Sequence, residues 1–329
     1  MIYSKSRFLY KYVMSIGLFW CFVSVSHAQK EPQYTQYMYN IGSFNPAYVG
    51  TTEVPEIIGS YRAQWISLPG APSTIRLGTN IPFSNEKMGI GFNIVNDQIG
   101  PTGQTYIDVA YSYQFNLSEN TKLSFGMDVG GSLLNVDFTK GSFENPGEPI
   151  LDREMINKFY PTIGAGLFMY GRDTWYLGAS IPNFLTDGIY NEDVATIVED
   201  KMQLNFIGGY VFDISEGLKF KPAFLLNYIG GAPLNINVST NFLINDKFTA
   251  GASYRVGNSI SGLAGFQVGG GTFIGYSYDY NTNGLGEFNS GSHEVVLKFY
   301  LGKGDSSSSG SNNKKLKGKP KQIDTPRFF

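Results

Sequence analysis

The chain has 329 residues, of which 16% are charged and 15% aromatic, and it contains 40 glycines. Charged residues usually make up about 25% of a soluble globular protein, and the mean hydropathy of −0.14 is too low for a bundle of transmembrane helices. These values also exclude a coiled coil, a helical repeat array and a charged disordered chain. They predict a β protein that is rich in glycine and aromatic side chains.

The first 28 residues predict a signal peptide. Basic residues precede an apolar run at 12–25, and Ser26-His27-Ala28 has the small residues of a cleavage site. The run is shorter than the roughly 20 residues that a membrane-spanning helix needs. The predicted mature chain begins at Gln29, and because the one cysteine of the chain is Cys21, it has neither disulfides nor thiolate chemistry.

Charge divides the rest of the chain into an acidic body and a basic end. From residue 302 onward there are seven basic and two acidic residues in a Ser-, Gly-, Lys- and Pro-rich stretch, which is typical of a flexible arm. The body has 15 basic and 25 acidic residues, a net charge of −10, which argues against nucleic-acid binding. The predicted organisation is a signal peptide at 1–28, a periplasmic N-terminal segment or plug at 29–54, a barrel at 55–301 and a flexible basic periplasmic tail at 302–329.

Within the body, apolar and polar residues alternate with the period of two that indicates β-strands. In 105–115, one face carries Ile107, Val109, Tyr111 and Phe115, and the other carries small or polar residues. The same pattern predicts strands at 122–133, 233–244, 247–256, 259–268, 272–280 and 293–301. Less regular patterns predict strands at 56–65, 73–81, 88–95, 160–170, 174–181, 201–213 and 217–228.

The length of these strands distinguishes between two kinds of β protein. A large soluble β-sandwich would also show alternation, but its strands usually have about 5–6 residues. Most of the predicted strands have about 9–12 residues, the length of a tilted strand that crosses a bilayer. The sequence therefore predicts an all-β fold, a transmembrane outer-membrane barrel of about 14 antiparallel strands, within a range of about 12–16.

The connections predict the orientation. Short polar turns are expected at 82–87, 116–120, 171–173, 213–217, 245–247 and 269–271, and they alternate with longer loops at 66–72, 97–103, 137–159, 182–200 and 281–291. Outer-membrane barrels have short periplasmic turns and longer extracellular loops. We therefore expect both termini in the periplasm.

The sequence gives little support to catalysis or metal binding. His293 is the one histidine of the predicted mature chain, and its neighbours Ser292 and Glu294 alternate faces on a strand, unlike a convergent catalytic triad. The stretch 279–287 resembles the start of a calcium loop, but Ser290 replaces the glutamate that such a loop needs at its twelfth position. We expect a hairpin loop here, and no enzyme activity, metal or cofactor.

The stretch 33–50 lacks strand alternation and contains four tyrosines. Two interpretations remain open: a plug or cap inside the barrel mouth, or a docking surface for a periplasmic partner.

This stretch also contains the first of the motifs that resemble a known family. The motifs are Gln33-Tyr34-Thr35-Gln36-Tyr37-Met38-Tyr39-Asn40, Asn45-Pro46-Ala47-Tyr48-Val49-Gly50, Tyr61-Arg62-Ala63-Gln64-Trp65, Leu68-Pro69-Gly70-Ala71-Pro72-Ser73-Thr74, Gly89-Ile90-Gly91, Asn96-Asp97, Ile99-Gly100-Pro101 and Gly291-Ser292-His293-Glu294.

On these motifs, residues 30–301 resemble the PorP/SprF family of Bacteroidota outer-membrane proteins. The resemblance implies a non-enzymatic component of type IX secretion and gliding motility that exports a secreted surface protein, such as a large adhesin, or attaches it to the cell surface. The implied partners are outer-membrane lipid, the secreted substrate and periplasmic components such as a peptidoglycan-binding lipoprotein, with no nucleic acid. The alternative is a passive porin or fatty-acid-type transporter.

Family-pattern positions are the candidate partner-binding residues: Tyr37, Asn40, Asn45, Pro46, Arg62, Trp65, Pro69 and Gly70. The loops at 137–159 and 182–200 are expected to meet the secreted partner. Arg62 and Trp65 could form a latch in the lumen or contact the substrate. Because they are three positions apart on a predicted strand, they would face opposite sides unless a bulge or loop intervenes.

Overall fold

The computed structural model describes residues 33–85, 87–137, 155–171, 174–185, 202–269 and 271–301. The predicted signal peptide, the basic tail and most of the loops at 137–159 and 182–200 lie outside the described residues. The strand segments are β1 (Glu56–Ala63), β2 (Ser73–Pro82), β3 (Met88–Ile99), β4 (Thr102–Asn116), β5 (Thr121–Asp137), β6 (Met155–Gly171), β7 (Trp175–Ile181), β8 (Gln203–Tyr210), β9 (Phe212–Ser215), β10 (Leu218–Ile229), β11 (Asn235–Ile244), β12 (Phe248–Arg255), β13 (Ser259–Val268), β14 (Thr272–Asn281) and β15 (Ser292–Tyr300).

The strands form one closed antiparallel sheet. Neighbours in sequence pair with each other, and closure comes from the pairing of β15 with β1. Segments β8 and β9 both pair with β10 and are separated by Val211, so they form one interrupted strand of the barrel. The described structure is therefore a 14-stranded barrel, which confirms the predicted fold and strand number.

One predicted loop is absent. Residues 97–103 were expected to form a longer connection, but β3 extends to Ile99, β4 begins at Thr102, and Gly100 makes the turn with a φ of 53°. The polar residues at these strand ends pair across the sheet, as when Asn96 Nδ2 donates to Thr105 Oγ1 at 2.8 Å. Polar composition alone does not distinguish such a ladder from a loop.

The alternation has the polarity of a membrane barrel. On β5, Met127 and Val129 point outward and are 59% and 60% exposed, whereas Ser124 and Ser132 point inward and are buried. An apolar outer face suits lipid, and closure of the sheet leaves no strand edge unpaired in the hydrocarbon region. None of the helices in the described ranges is long and apolar enough to span a membrane.

The stretch before β1 fills the barrel interior. It contains three single-turn 3-10 helices, Tyr37–Tyr39, Ile41–Ser43 and Pro46–Tyr48. Residues 34–41 and 45–52 are buried. Their side chains form one apolar cluster with inward-facing wall residues such as Phe168 and Phe273. The core of this protein thus lies between residues 33–52, which we call the inner segment, and the inner face of the barrel.

The inner segment runs along the lumen. We call the end of the barrel where β1 ends and β2 begins the loop end, and the end where β2 ends and β3 begins the turn end. Thr35 contacts Arg62 at the loop end of β1, and Tyr48 contacts Glu56 at the turn end of the same strand. These wall residues are six positions apart, roughly 20 Å at the usual rise per residue.

Thr35 and Leu301 lie at opposite ends of the barrel, whereas the termini themselves, which were expected at one end, lie outside the described residues. Leu301, the last described residue, follows β15 at the turn end, where its N–H donates to Pro55 O at 2.7 Å. The inner segment instead begins at the loop end. The predicted number of strands did not include this extra crossing of the lumen. The inner segment is not a strand, and its apolar and polar residues do not alternate with a period of two.

Candidate functional site

A cluster of buried charges holds the first part of the inner segment at the loop end. Arg62 donates to Asp279 Oδ2 at 2.6 Å and to Glu294 Oε2 at 3.0 Å. It also donates to Thr35 Oγ1 at 3.0 Å, while Thr35 N–H donates to Glu294 Oε2 at 2.8 Å. The charged side chains are at most 2% exposed. We call Thr35, Arg62, Asp279 and Glu294 the latch.

The latch follows from strand register. Arg62 on β1 lies opposite Glu294 on β15, and Asp279 on the next strand, β14, lies opposite Ser292. Alternation turns all three charged side chains inward at about one height. A buried charge is costly unless it is paired and hydrogen-bonded. The fork of the arginine side chain, which donates to two carboxylates at once, meets that condition.

Midway along the lumen, hydrogen bonds from single side chains link the inner segment to the wall. The Tyr37 hydroxyl shares a hydrogen bond of 2.9 Å with Ser239 Oγ. Arg76 donates to Asn40 Oδ1 at 2.9 Å and to Asn93 Oδ1 at 2.8 Å. Burial raises the pKa of the Tyr37 and Tyr39 phenols above their usual value. Both hydroxyls are therefore neutral.

At the turn end, side chains of the wall form hydrogen bonds with the main chain of the inner segment. Gly50 N–H donates to Asn80 Oδ1 at 2.6 Å, and its carbonyl accepts from Gln114 Nε2 at 2.5 Å. Ser112 Oγ donates to the carbonyl of Val49. We call Asn80, Ser112 and Gln114, with the main chain at Val49 and Gly50, the turn-end anchor. Beside it, Glu56 accepts from Tyr48 at 3.3 Å and pairs with Lys298 at 3.2 Å.

Glycines on the inner wall make room for this close approach. A β-carbon at Gly126 would overlap the backbone of Pro46 and Ala47, and one at Gly89 would overlap the backbone of Gly50. At Gly166 it would meet the side chain of Asn45. The wall therefore carries no side chain at the points where the inner segment passes closest to it.

The loop end also carries a rim of hydrogen-bonded loops. We define the rim as residues 64–72, between β1 and β2, together with 282–291, between β14 and β15. Ile66 N–H donates to Gly291 O at 2.9 Å, and Ser290 N–H donates to Ile66 O at 2.8 Å. Trp65 and Ser67 have φ values of 48° and 84°, a left-handed conformation that is uncommon outside glycine and clusters at functional positions.

The structure divides the eight candidate residues between these two places. Tyr37, Asn40, Asn45, Pro46 and Arg62 are buried in the interior, where Asn45 accepts from Ala47 N–H at 3.0 Å and donates to Leu167 O at 3.1 Å. Trp65, Pro69 and Gly70 lie on the rim. Of these three, Trp65 is half-buried and the other two are exposed. Because β1 ends at Ala63, Trp65 lies in the loop that follows the strand, where its N–H donates to Ser292 Oγ at 3.1 Å.

Sequence reasoning overlooked the partners of Arg62. Asp279 was considered as part of a calcium-like loop and Glu294 as a neighbour of His293, yet both belong to the latch. Alternation was the available signal, since it places Glu294 inward and His293 outward, where His293 Nδ1 contacts the Tyr276 hydroxyl at 2.7 Å. Apart from the large number of glycines, nothing in the sequence indicated which of them face the inner segment.

The closed barrel, its apolar outer belt and its polar buried interior define an outer-membrane β-barrel protein. The family described as type IX secretion system membrane protein PorP/SprF matches residues 26–299. The chain belongs to this family, which confirms the resemblance seen in its motifs. It is a type IX secretion membrane component of the outer membrane, and its family is one of secretion components, not a class of enzymes.

Solved structures are similar to the chain at low sequence identity. The toluene transporter TbuX of Ralstonia pickettii is 9% identical to this chain and has a TM-score of 0.45. The match covers 81% of this chain and 93% of the transporter chain. A FadL homologue of Pseudomonas aeruginosa is 11% identical, with coverages of 83% and 95% and a TM-score of 0.43. The CymD monoaromatic hydrocarbon channel is 10% identical, with coverages of 82% and 93% and a TM-score of 0.45. No curated protein sequence matches the chain.

Proposed function

We propose that the protein is a non-enzymatic component of type IX secretion that exports a secreted surface protein or anchors it at the outer membrane. The observation that carries this proposal is the rim. Its two loops are hydrogen-bonded to each other, and it presents Phe288, which is 69% exposed, together with Ile66 at 38% and Leu285 at 37%. Exposed apolar side chains on an ordered surface favour contact with another protein.

We assign the partner contact to Trp65, Pro69 and Gly70 among the family-pattern positions. The other five candidates are committed to contacts inside the barrel, so a partner outside could not reach them without displacing the inner segment. The loops at 137–159 and 182–200 leave the barrel at the same end as the rim. We therefore assign them to the secreted partner as well.

For the orientation, we assign the loop end to the cell exterior and the turn end to the periplasm. The basis is the general asymmetry of outer-membrane barrels, in which periplasmic turns are the shorter connections. The described turn-end connections are short, as between β11 and β12, where Asn245 and Asp246 turn the chain with φ values of 52° and 53°. In this orientation the basic tail from residue 302 would meet periplasmic machinery, such as a peptidoglycan-binding component.

Affinity purification of the tagged protein from its native outer membrane, followed by mass spectrometry, tests the role. We expect a large secreted protein to be recovered with the barrel. The variant F288N should reduce this recovery and the display of the partner on the cell surface. The matched control F83N changes a phenylalanine that is 40% exposed at the turn end, and it should leave display unchanged. Recovery of the barrel alone, or equal effects of the two variants, would contradict the proposal.

A further inference from the structure

The inward faces of three strands are buried from the turn end to the loop end of the barrel. On β1, Glu56, Ile58, Ser60 and Arg62 are successive inward residues, and none is more than 7% exposed. The same holds on β11 for Asn237, Ser239, Asn241 and Leu243 and on β15 for Glu294, Val296, Lys298 and Tyr300. A water-filled channel would expose these inward side chains, so this part of the interior has the burial of a protein core.

We infer that the inner segment is a permanent plug, threaded through the barrel from the loop end to the turn end. It closes the lumen, and its first residue, Gln33, faces the opposite end of the barrel from Leu301. The protein would thus bind its partner on its outer surfaces and would not pass a polypeptide or a solute through its lumen. This inference does not depend on the proposed role in secretion.

The two ends of the plug are held by different strands. At the loop end, the latch ties Thr35 to β1, β14 and β15. At the turn end, the anchor ties the main chain at Val49 and Gly50 to β2 and β4. Between them, Asn45 bonds to β6 and Tyr37 to β11. Release of the plug would break contacts on most sides of the barrel at once, and it would leave the latch charges buried without Thr35.

The wall is also shaped to the plug. Gly126 and Gly89 face the plug backbone where a side chain would collide with it. In an open channel the same positions would have no steric need for glycine. Because β1 and β15 pair over all eight residues of β1, the plug is enclosed by a continuous wall at this seam.

Conductance of the purified wild-type protein in planar lipid bilayers tests the seal. We expect no stable open-channel steps. Deletion of residues 33–50 should produce them, because an empty 14-stranded barrel falls between barrels filled by side chains and the wider porins with aqueous channels. Steady porin-like conductance by the wild type would overturn the inference, and so would a folded deletion variant that does not conduct. If the deletion variant fails to fold, the wild-type measurement still decides.

Cysteine labelling tests the threading. In a background with Cys21 replaced by alanine, Q33C and L301C each introduce a single thiol at the start of the plug and after β15. A membrane-impermeant maleimide should label one variant in intact cells and the other only after the outer membrane is opened. This result supports threading whichever end faces outward. Labelling of both from the same side, or of Q33C from neither side, would overturn it.

Discussion

The latch and the turn-end anchor hold the same segment by different means. The latch brings a guanidinium and two carboxylates together at 3.0 Å or less, all of them buried. The anchor uses neutral side chains, and it holds the main chain of the segment against a wall of glycines. The difference is in what each can tolerate: a buried charge requires its partners, whereas a close main-chain approach requires that no side chain intervene.

The variant R62M should have the largest effect on this comparison. It would leave Asp279 and Glu294 buried beside each other without the guanidinium that donates to both of them. Breaking a buried ion pair typically costs about 3–5 kcal/mol, and we expect a loss of that size in the free energy of unfolding, measured by urea titration in lipid vesicles. The control K219M removes a partly exposed pair with Asp246, at 3.6 Å, and should change stability by less than about 1 kcal/mol. Equal losses of stability in the two variants would show that the latch contributes no more than a partly exposed ion pair.

At the other end of the plug, G126A should have an intermediate effect. A single methyl group there would overlap the backbone of Pro46 and Ala47. Overpacking of this kind costs about 1–3 kcal/mol. G262A is the matched control, since a β-carbon at Gly262 meets no atom within 4 Å, and its effect should stay within about 0.5 kcal/mol. A harmless G126A would mean that the plug can shift away from the wall.

A smaller loss is expected from N80A, which removes the side-chain acceptor for Gly50 N–H. An unsatisfied buried donor costs about 1–3 kcal/mol. The effect should therefore lie below that of R62M, because the group left without a partner is a neutral amide. Urea titration under the same conditions compares the two. A loss from N80A as large as that from R62M would place the dominant contact at the turn end.

The smallest expected effect concerns Tyr37 and its alkaline titration. Burial raises the pKa of this phenol, so the folded state favours the protonated form. Stability is therefore retained below the usual tyrosine pKa of about 10 and falls as the pH rises above it. While the barrel stays folded, Y37F and the wild type should show the same tyrosinate absorbance. In urea-unfolded protein the variant should show less, and a difference already present in the folded state would contradict the burial of Tyr37.

Comparison of the strands with the inner segment shows how far the sequence could be interpreted. Outward positions on β4, such as Ile107, Val109 and Tyr111, alternate with inward residues in sequence and in the structure, so the strand number could be predicted. The inner segment has short 3-10 turns, which carry no long period. Its aromatic composition permitted either a plug or a docking surface.

The amino-acid sequence by itself determined the class of protein, the number of strands, the polarity of the barrel faces and the family. These features rest on local periodicity and local motifs, which can be recognised along the chain. The tertiary structure decided the path of the inner segment, the pairing of Arg62 with Asp279 and Glu294, and the role of glycines such as Gly126. Those contacts join residues up to 259 positions apart, as in the bond from Thr35 to Glu294. They exist only after the sheet has closed and strand register has brought separate inward faces to the same height.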